Sequence, residues 1–292
     1  MAVRSIFISK TEYPFFEERK VQLEWFGGFA LSQKRKCEIG LHNNFLHMYP
    51  DYKTLEVSCA STNQLGKRLS AMNLLKEVNV VIDGNIHKGI TSVESVFQSS
   101  RVYDDGNEQI GPFPEYIMVS GQDSKKKVKE ASKGLHSYRY FFEDTYFYAP
   151  EYHISLFYDF VYMNALLEDS NADVMRQLVE GEYTAFSDLA TLSLNSQARS
   201  CAIFVGLYKA GLLDEIRNTE NYLKLFRTKN DGSAGEGAYL NAHVFRNGKV
   251  NLFSEVVPCF YCKKEVEDIY EKCFSHLTNR KDKEVFIPYL IS

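Results

Sequence analysis

The chain has 292 residues, 45% of them hydrophobic, with 34 Lys and Arg against 38 Asp and Glu for a net charge of −4. That length and balance allow one large domain or two modest ones, and they exclude a disordered or fibrous protein. The acidic excess also excludes a protein that grips nucleic acid mainly through its phosphates, because such binding needs surplus cations to displace counterions.

No stretch approaches the roughly 18 to 20 apolar residues of a membrane span, and the start "MAVRSIFISK" lacks the apolar run of a signal peptide. A cytoplasmic protein with no membrane partner is expected. Its six cysteines (Cys37, Cys59, Cys201, Cys259, Cys262 and Cys273) then read as reduced thiols rather than a disulfide framework.

In chain order, "SIFIS" and "KVQLEW" predict short strands from their β-branched and aromatic content. "SQKRKCEIGLHNNFLHMY" predicts a helix with Ser32 as N-cap and an apolar face of Cys37, Leu41, Phe45 and Met48. "TLEVSCA" predicts a strand. "VNVVIDGNIHKGI" predicts a hairpin turning at Asp83-Gly84, followed by a helix capped by Thr91 or Ser92.

The run "DSKKKVKEASKG", with Lys125, Lys126, Lys127, Lys129 and Lys133, reads as a solvated face, with phosphate steering as the other reading. The aromatic block at 138–152 reads as core by default, with stacking on a base as the alternative. "HISLFYDFVYMNALLED" predicts a helix whose apolar face holds Leu156, Phe160, Met163 and Leu167. "NSQARSCAIFVGLYKAGLLDEI" predicts another, with Ala198, Cys201, Val205 and Tyr208 inward. Composition shifts to Gly, Ser and Asn near 228–239. Asn247-Gly248 then marks a hairpin, and a last helix is expected from about Lys263 to Leu277.

The expected fold is therefore α+β: a mainly helical domain with short strands and hairpins over residues 1–227, and a small hairpin-helix extension at 228–292. The strands do not alternate with helices regularly enough for a doubly wound sheet.

Within "TSVESVFQSSR" (91–101), Val93, Val96, Phe97 and Ser100 make the buried stripe. Glu94, Gln98 and Arg101 fall on another side at i, i+4 and i+7, within mutual reach. Spacing alone suggests a solvent-exposed polar face. A helix that follows a tight hairpin, however, presents its first turn at an edge of the fold, where a carboxylate can meet a ligand. "NSQARS" offers Asn195, Gln197 and Arg199 at a helix start whose free N–H groups suit a pyrophosphate, the plainer reading being simple capping. "CFYCKKEVEDIYEKCFSH" spaces Cys259, Cys262, Cys273 and His276 in a way that can hold a structural zinc, although the last two fall inside an expected helix.

"LSAMNL" (69–74) followed by "TSVESVFQSSR" resembles the motif pair of the NADAR superfamily, whose members cut N-glycosidic bonds of ADP-ribosyl or ribosyl-phosphate compounds. Asn73, Glu94, Phe97 and Gln98 match that pattern. Ser95 stands where the superfamily usually has His, and Arg101 where it has Lys. Arg101 stays protonated and is no amine nucleophile. "WFGGFALSQKRKCEIGLH", "QLGKRLSAMNL", "YDFVYMNAL" and "LNSQARSCAIFVGL", in that order, are similar to the NADAR antitoxins associated with DarT-type DNA ADP-ribosyltransferase toxins. The likeness covers about residues 1 to 227.

The resemblance implies hydrolysis of the bond between ADP-ribose and guanine in DNA, with the modified guanine as substrate, a DarT-type toxin as partner and no cofactor. Cleavage passes through an oxocarbenium-like sugar, so a carboxylate is needed beside the anomeric carbon. Glu94 is expected to fill that role, with Asp159 or Asp188 as a second acid. The expected ligand contacts are Asn73, Gln98, Arg101, Asn195, Gln197, Arg199 and Trp25. Two other readings stay open: a glycosidase of small ribosyl-phosphate or nucleotide metabolites, and a non-catalytic module that binds ADP-ribose or the toxin.

Overall fold

The computed structural model describes residues 1–228 except 29, 83–84, 105–107, 134, 136, 143–144, 149–155 and 191–195, and beyond these the strands within 240–257 and 284–288. Helices and several small sheets are mixed, as an α+β chain requires.

The first two strands, β1 (Ala2–Ser9) and β2 (Phe16–Leu23), pair antiparallel, and α1 (Leu31–Met48) follows. The next strand, β3 (Thr54–Glu56), is shorter than "TLEVSCA" suggested. The Ser58 hydroxyl accepts from Ala60 N at 3.3 Å and its carbonyl from Ser61 N at 3.1 Å, which turns the chain away from the ladder. After a short α2 (Gln64–Arg68) comes the hairpin of β4 (Leu75–Ile82) and β5 (Asn85–Ser92), in the expected register with Ile82 opposite Asn85.

Helix α3 (Val93–Ser99) starts at Ser92, whose hydroxyl accepts from Ser95 N. Strands β6 (Arg101–Asp104) and β7 (Gln109–Ile110), helix α4 (Gly121–Ala131), and strands β8 (Ser137–Phe142) and β9 (Thr145–Tyr148) follow, the four strands forming one sheet in the order β7-β6-β8-β9. Then come α5 (Leu156–Leu166), α6 (Ala172–Glu180), β10 (Ala185–Ser187), α7 (Gln197–Ala210) and α8 (Thr219–Leu225). In a three-stranded sheet of β11 (Leu240–Arg246), β12 (Lys249–Val257) and β13 (Glu284–Pro288), β11 and β12 pair antiparallel with Arg246 opposite Lys249, while the expected turn residues Asn247 and Gly248 lie outside the described residues. The expected helix at 263–277 lies outside the described residues.

The sheet β2-β1-β10-β3 organises the core through its two-residue period. Ile6, Ile8 and Ala185 face one way, onto Cys37, Leu41 and Phe45 of α1. Phe7, Phe186 and Leu55 face the other way, into the large cluster that holds α5 and α7. The two expected amphipathic helices are accordingly buried almost all round: every residue of α5 except Asn164, and every residue of α7 up to Leu207. Tyr208, expected inside, is 45% exposed in the last turn of α7, where the buried run has ended at Leu207, and Met48 of α1 is likewise exposed. Ser32 does not cap α1; Ala30 occupies the cap position without a side-chain bond. From the aromatic block, Tyr140, Phe142 and Phe147 are core residues, and Tyr140 stacks on Phe157 at 4.6 Å.

Candidate active site

The segment 69–74 is a bracket between helices. Leu69 O accepts from the buried Tyr162 hydroxyl, and Ala71 N donates to Gln197 Oε1 at 2.7 Å at the start of α7. Ala71 O and Leu74 O accept from Glu94 N and Val93 N at 2.9 and 3.0 Å. The first turn of α3 is thereby pinned against the first residue of α7.

On that turn, Glu94 is only 9% exposed. Its Oε1 accepts from Gln98 Nε2 at 2.9 Å, and Gln98 Oε1 accepts from Arg101 Nη1 at 3.3 Å. The three residues do meet, although Arg101 has left the helix and begins β6. The polar side is not solvated as spacing alone suggested, because all seven residues of α3 are buried. Helix α4 covers it: a Cβ placed on Gly121 would sit 2.9 Å from Glu94 Cβ. One turn further on, Lys125 brings its ammonium to 3.9 Å from Glu94 Oε1.

These residues line a cavity of about 520 Å³, a size that suits a nucleotide-sized ligand. Glu94, Gln98, Arg101 and Gln197 form part of its wall, together with Lys34 of α1, Lys125 of α4 and Tyr158 of α5. Burial and the nearby Glu94 charge push the Tyr158 phenol well above its ordinary range, so it stays a neutral donor. The cavity thus sets one carboxylate among three cations, the three amides of Gln98, Gln122 and Gln197, and a phenol.

Other expected site residues lie elsewhere. Asn73 is exposed, and its amide donates to Lys67 O at 2.8 Å. Arg199 and Asp159 form an ion pair inside the core, with Ser200 Oγ donating to Asp159 at 2.7 Å, and neither lines the cavity. Burial pushes the Asp159 carboxyl up, while Arg199 and Ser200 pull it down. Asp188 is buried outside this wall, its Oδ1 accepting from Ala190 N at 3.1 Å. Trp25 lines a second, adjoining cavity and carries the Arg4 guanidinium over its ring at 4.3 Å. Asn195 and the Cys259, Cys262, Cys273 and His276 set lie outside the described residues, and among those described no cluster of three or more His, Cys, Asp or Glu is arranged to hold a metal.

A family model described as DarT1-associated NADAR antitoxin matches residues 2–236. The chain belongs to this NADAR antitoxin family. No curated protein matches it. The match spans every cavity-lining residue named above and reaches beyond α8. None of the described helices of this NADAR antitoxin is long and apolar enough to cross a membrane.

Two wall residues of the NADAR chain escaped the sequence reading, and a third, Lys125, was read as part of a solvated charge run with phosphate steering as the other reading. Lys34 sat in the first turn of a surface helix, and Tyr158 in a helix that reads as continuous core. A fourth group, Glu56, pairs with Ser187 across the sheet and lies in the wall of the adjoining cavity.

Proposed function

We propose that this antitoxin is an ADP-ribosyl-guanine glycosidase, hydrolysing the N-glycosidic bond between ADP-ribose and guanine in DNA and so undoing modification by a DarT-type toxin. The observation that carries the proposal is the Glu94 carboxylate, nearly buried in the cavity wall and held in one orientation by Gln98. A glycosidic bond breaks through an oxocarbenium-like sugar, so a fixed carboxylate beside the anomeric carbon both stabilises that charge and takes a proton from the attacking water.

The cations complement the rest of the ligand. Lys34, Lys125 and Arg101 line the same cavity as Glu94. A pyrophosphate is the group that uses three of them, and Arg101 can engage it with two parallel N–H bonds. Gln98, Gln197 and Tyr158 supply hydrogen bonds for ribose hydroxyls. An ADP-ribose adduct on the base disfavours normal pairing, which eases extrusion of the modified guanine into the site.

The test is incubation with an oligonucleotide carrying ADP-ribosylated guanine. ADP-ribose and restored guanine are the expected products, and free ADP-ribose should compete. Because the chain is acidic overall, affinity should fall only shallowly with salt, equivalent to about one to three neutralised phosphates. Tight binding without release would favour a binding module instead.

A further inference from the structure

The main cavity shares Lys34, Ser58, Ala60 and Ala190 with a second cavity of about 240 Å³. That volume is below the roughly 300–1,000 Å³ of sites for larger ligands and suits a single ring system. Its wall sets the rings of Trp25 and Phe26 beside the carboxyls of Glu38 and Glu56. Glu38 is already committed, accepting from Thr62 N at 2.9 Å and from Thr62 Oγ1 at 2.6 Å.

Glu56 differs. It is 2% exposed and lies at the end of β3. Ser187 Oγ is 2.5 Å from its Oε2, and Leu189 N donates to its Oε1 at 3.0 Å. Ser187 Oγ lies 2.8 Å from Nε2 of the half-buried His42. A hydrogen-bonded chain therefore runs from an imidazole on α1, through a hydroxyl, to a carboxyl in the cavity wall. The charged and titratable groups around Glu56 are Asp188 beyond β10, His42 through Ser187, and Lys34, Cys37 and Glu38 of α1 lining the same cavity. Burial first, and Asp188 second, push the Glu56 carboxyl up to about 8, while burial lowers His42 to about 4. Near neutral pH the carboxyl therefore holds a proton and the imidazole is uncharged.

We propose that the smaller cavity is the subsite for the departing base, a neutral purine seated against Trp25 and Phe26, and that Glu56 is the acid that protonates it. This rests on the glycosidase reading above. As the bond from the anomeric carbon to the exocyclic nitrogen breaks, its electron pair stays on nitrogen, which takes the proton of Glu56. Water adds to the anomeric carbon and gives its proton to Glu94. Glu56 then takes the Ser187 hydroxyl proton as Ser187 takes the Nε2 proton of His42 and His42 Nδ1 takes one from solvent, while Glu94 releases its proton to solvent, so one water is consumed and no oxidant or reductant is needed.

Trp25 is the only tryptophan in the chain, so its emission reports on this pocket alone. Deoxyguanosine titrated into the wild-type protein should shift Trp25 emission saturably, whereas ADP-ribose should leave it nearly unchanged. Glu56→Gln should lower kcat on the modified oligonucleotide by about 100-fold or more, with little change in KM, and should abolish the fall in rate near pH 8. A Glu56→Gln enzyme with wild-type kcat and an unchanged alkaline limb would overturn the acid role. Unchanged emission at millimolar deoxyguanosine, while the wild type still releases ADP-ribose, would overturn the base subsite and leave the glycosidase reading standing. No release by the wild type would instead remove that reading and the acid step with it. The titration decides the subsite without any variant, even if Glu56→Gln does not fold.

Discussion

Glu94 Oε1 and Gln98 Nε2 are 2.9 Å apart, one turn of α3 separating them, and the far side of the same amide accepts from Arg101. The amide therefore orients the carboxylate and relays a cation's field to it without neutralising it by direct contact. Replacing Gln98 by Leu keeps the bulk and deletes the bond. A hydrogen bond to a charged group contributes about 1.5–3 kcal/mol, so kcat should fall by about 10–100-fold. Single-turnover kinetics checks this, with thermal melting to show that the fold persists.

Gly121 tests the same alignment from the opposite side. A Cβ there would lie 2.9 Å from Glu94 Cβ and 2.8 Å from Met72 Sδ. Met72 can swing aside, but Glu94 is fixed by its helix, so Gly121→Ala should displace the first turn of α4 or the carboxylate. Overpacking of this kind costs about 1–3 kcal/mol. The expected result is a lower melting temperature together with a kcat loss larger than that stability change explains. Wild-type kcat in Gly121→Ala would show that α4 does not press on Glu94.

Arg199 separates a structural role from a ligand role. It is 4% exposed and paired with Asp159, which is fully buried. Arg199→Met would leave that carboxylate without its cation, and breaking a buried pair costs about 3–5 kcal/mol. Chemical denaturation should report that loss, while ADP-ribose affinity of the remaining folded protein stays near the wild-type value. A selective loss of affinity at unchanged stability would restore Arg199 to the pyrophosphate site.

Glu56 makes stability depend on pH. Its folded value of about 8 is above the ordinary 4.5, so its contribution is complete below about pH 4.5 and is lost as pH rises towards 8. Glu56→Gln has no such proton to hold. The melting temperature of the variant relative to the wild type should therefore climb between pH 4.5 and 8, then level off. A difference that stays constant across that range would contradict the raised value.

Legibility of the fold and site followed sequence distance. The hairpin 75–92, the capped start at Ser92 and the Glu94–Gln98 spacing are local matters of turn chemistry and helical period, and they were readable. What covers α3 was not, since nothing near Glu94 announces that Gly121 and Lys125 pack over it. The same separation hid the Arg199–Asp159 pair, 40 residues apart, so each residue alone looked free for ligand. Tyr158 was masked by its neighbours: in a helix apolar on nearly every side, one phenol aimed at a cavity leaves no periodic trace. Glu56, the last residue of a three-residue strand, carries no local motif that sets it apart. Only parallel pairing of β3 with β10 brings it to Ser187.

The most direct test of the central claim is the turnover of guanine-ADP-ribosylated oligonucleotide by the wild type and by Glu94→Gln, with binding of both to the same oligonucleotide measured alongside. The substitution keeps the shape and the contact with Gln98's side of the helix but removes the charge that the proposed mechanism uses to stabilise the sugar cation and to accept the proton of water. The account predicts ADP-ribose release by the wild type, a loss of about 10²–10⁴-fold in kcat for Glu94→Gln, and affinities within a few-fold of each other. Equal rates for the two proteins would contradict it and return Glu94 to the role of a buried helix residue.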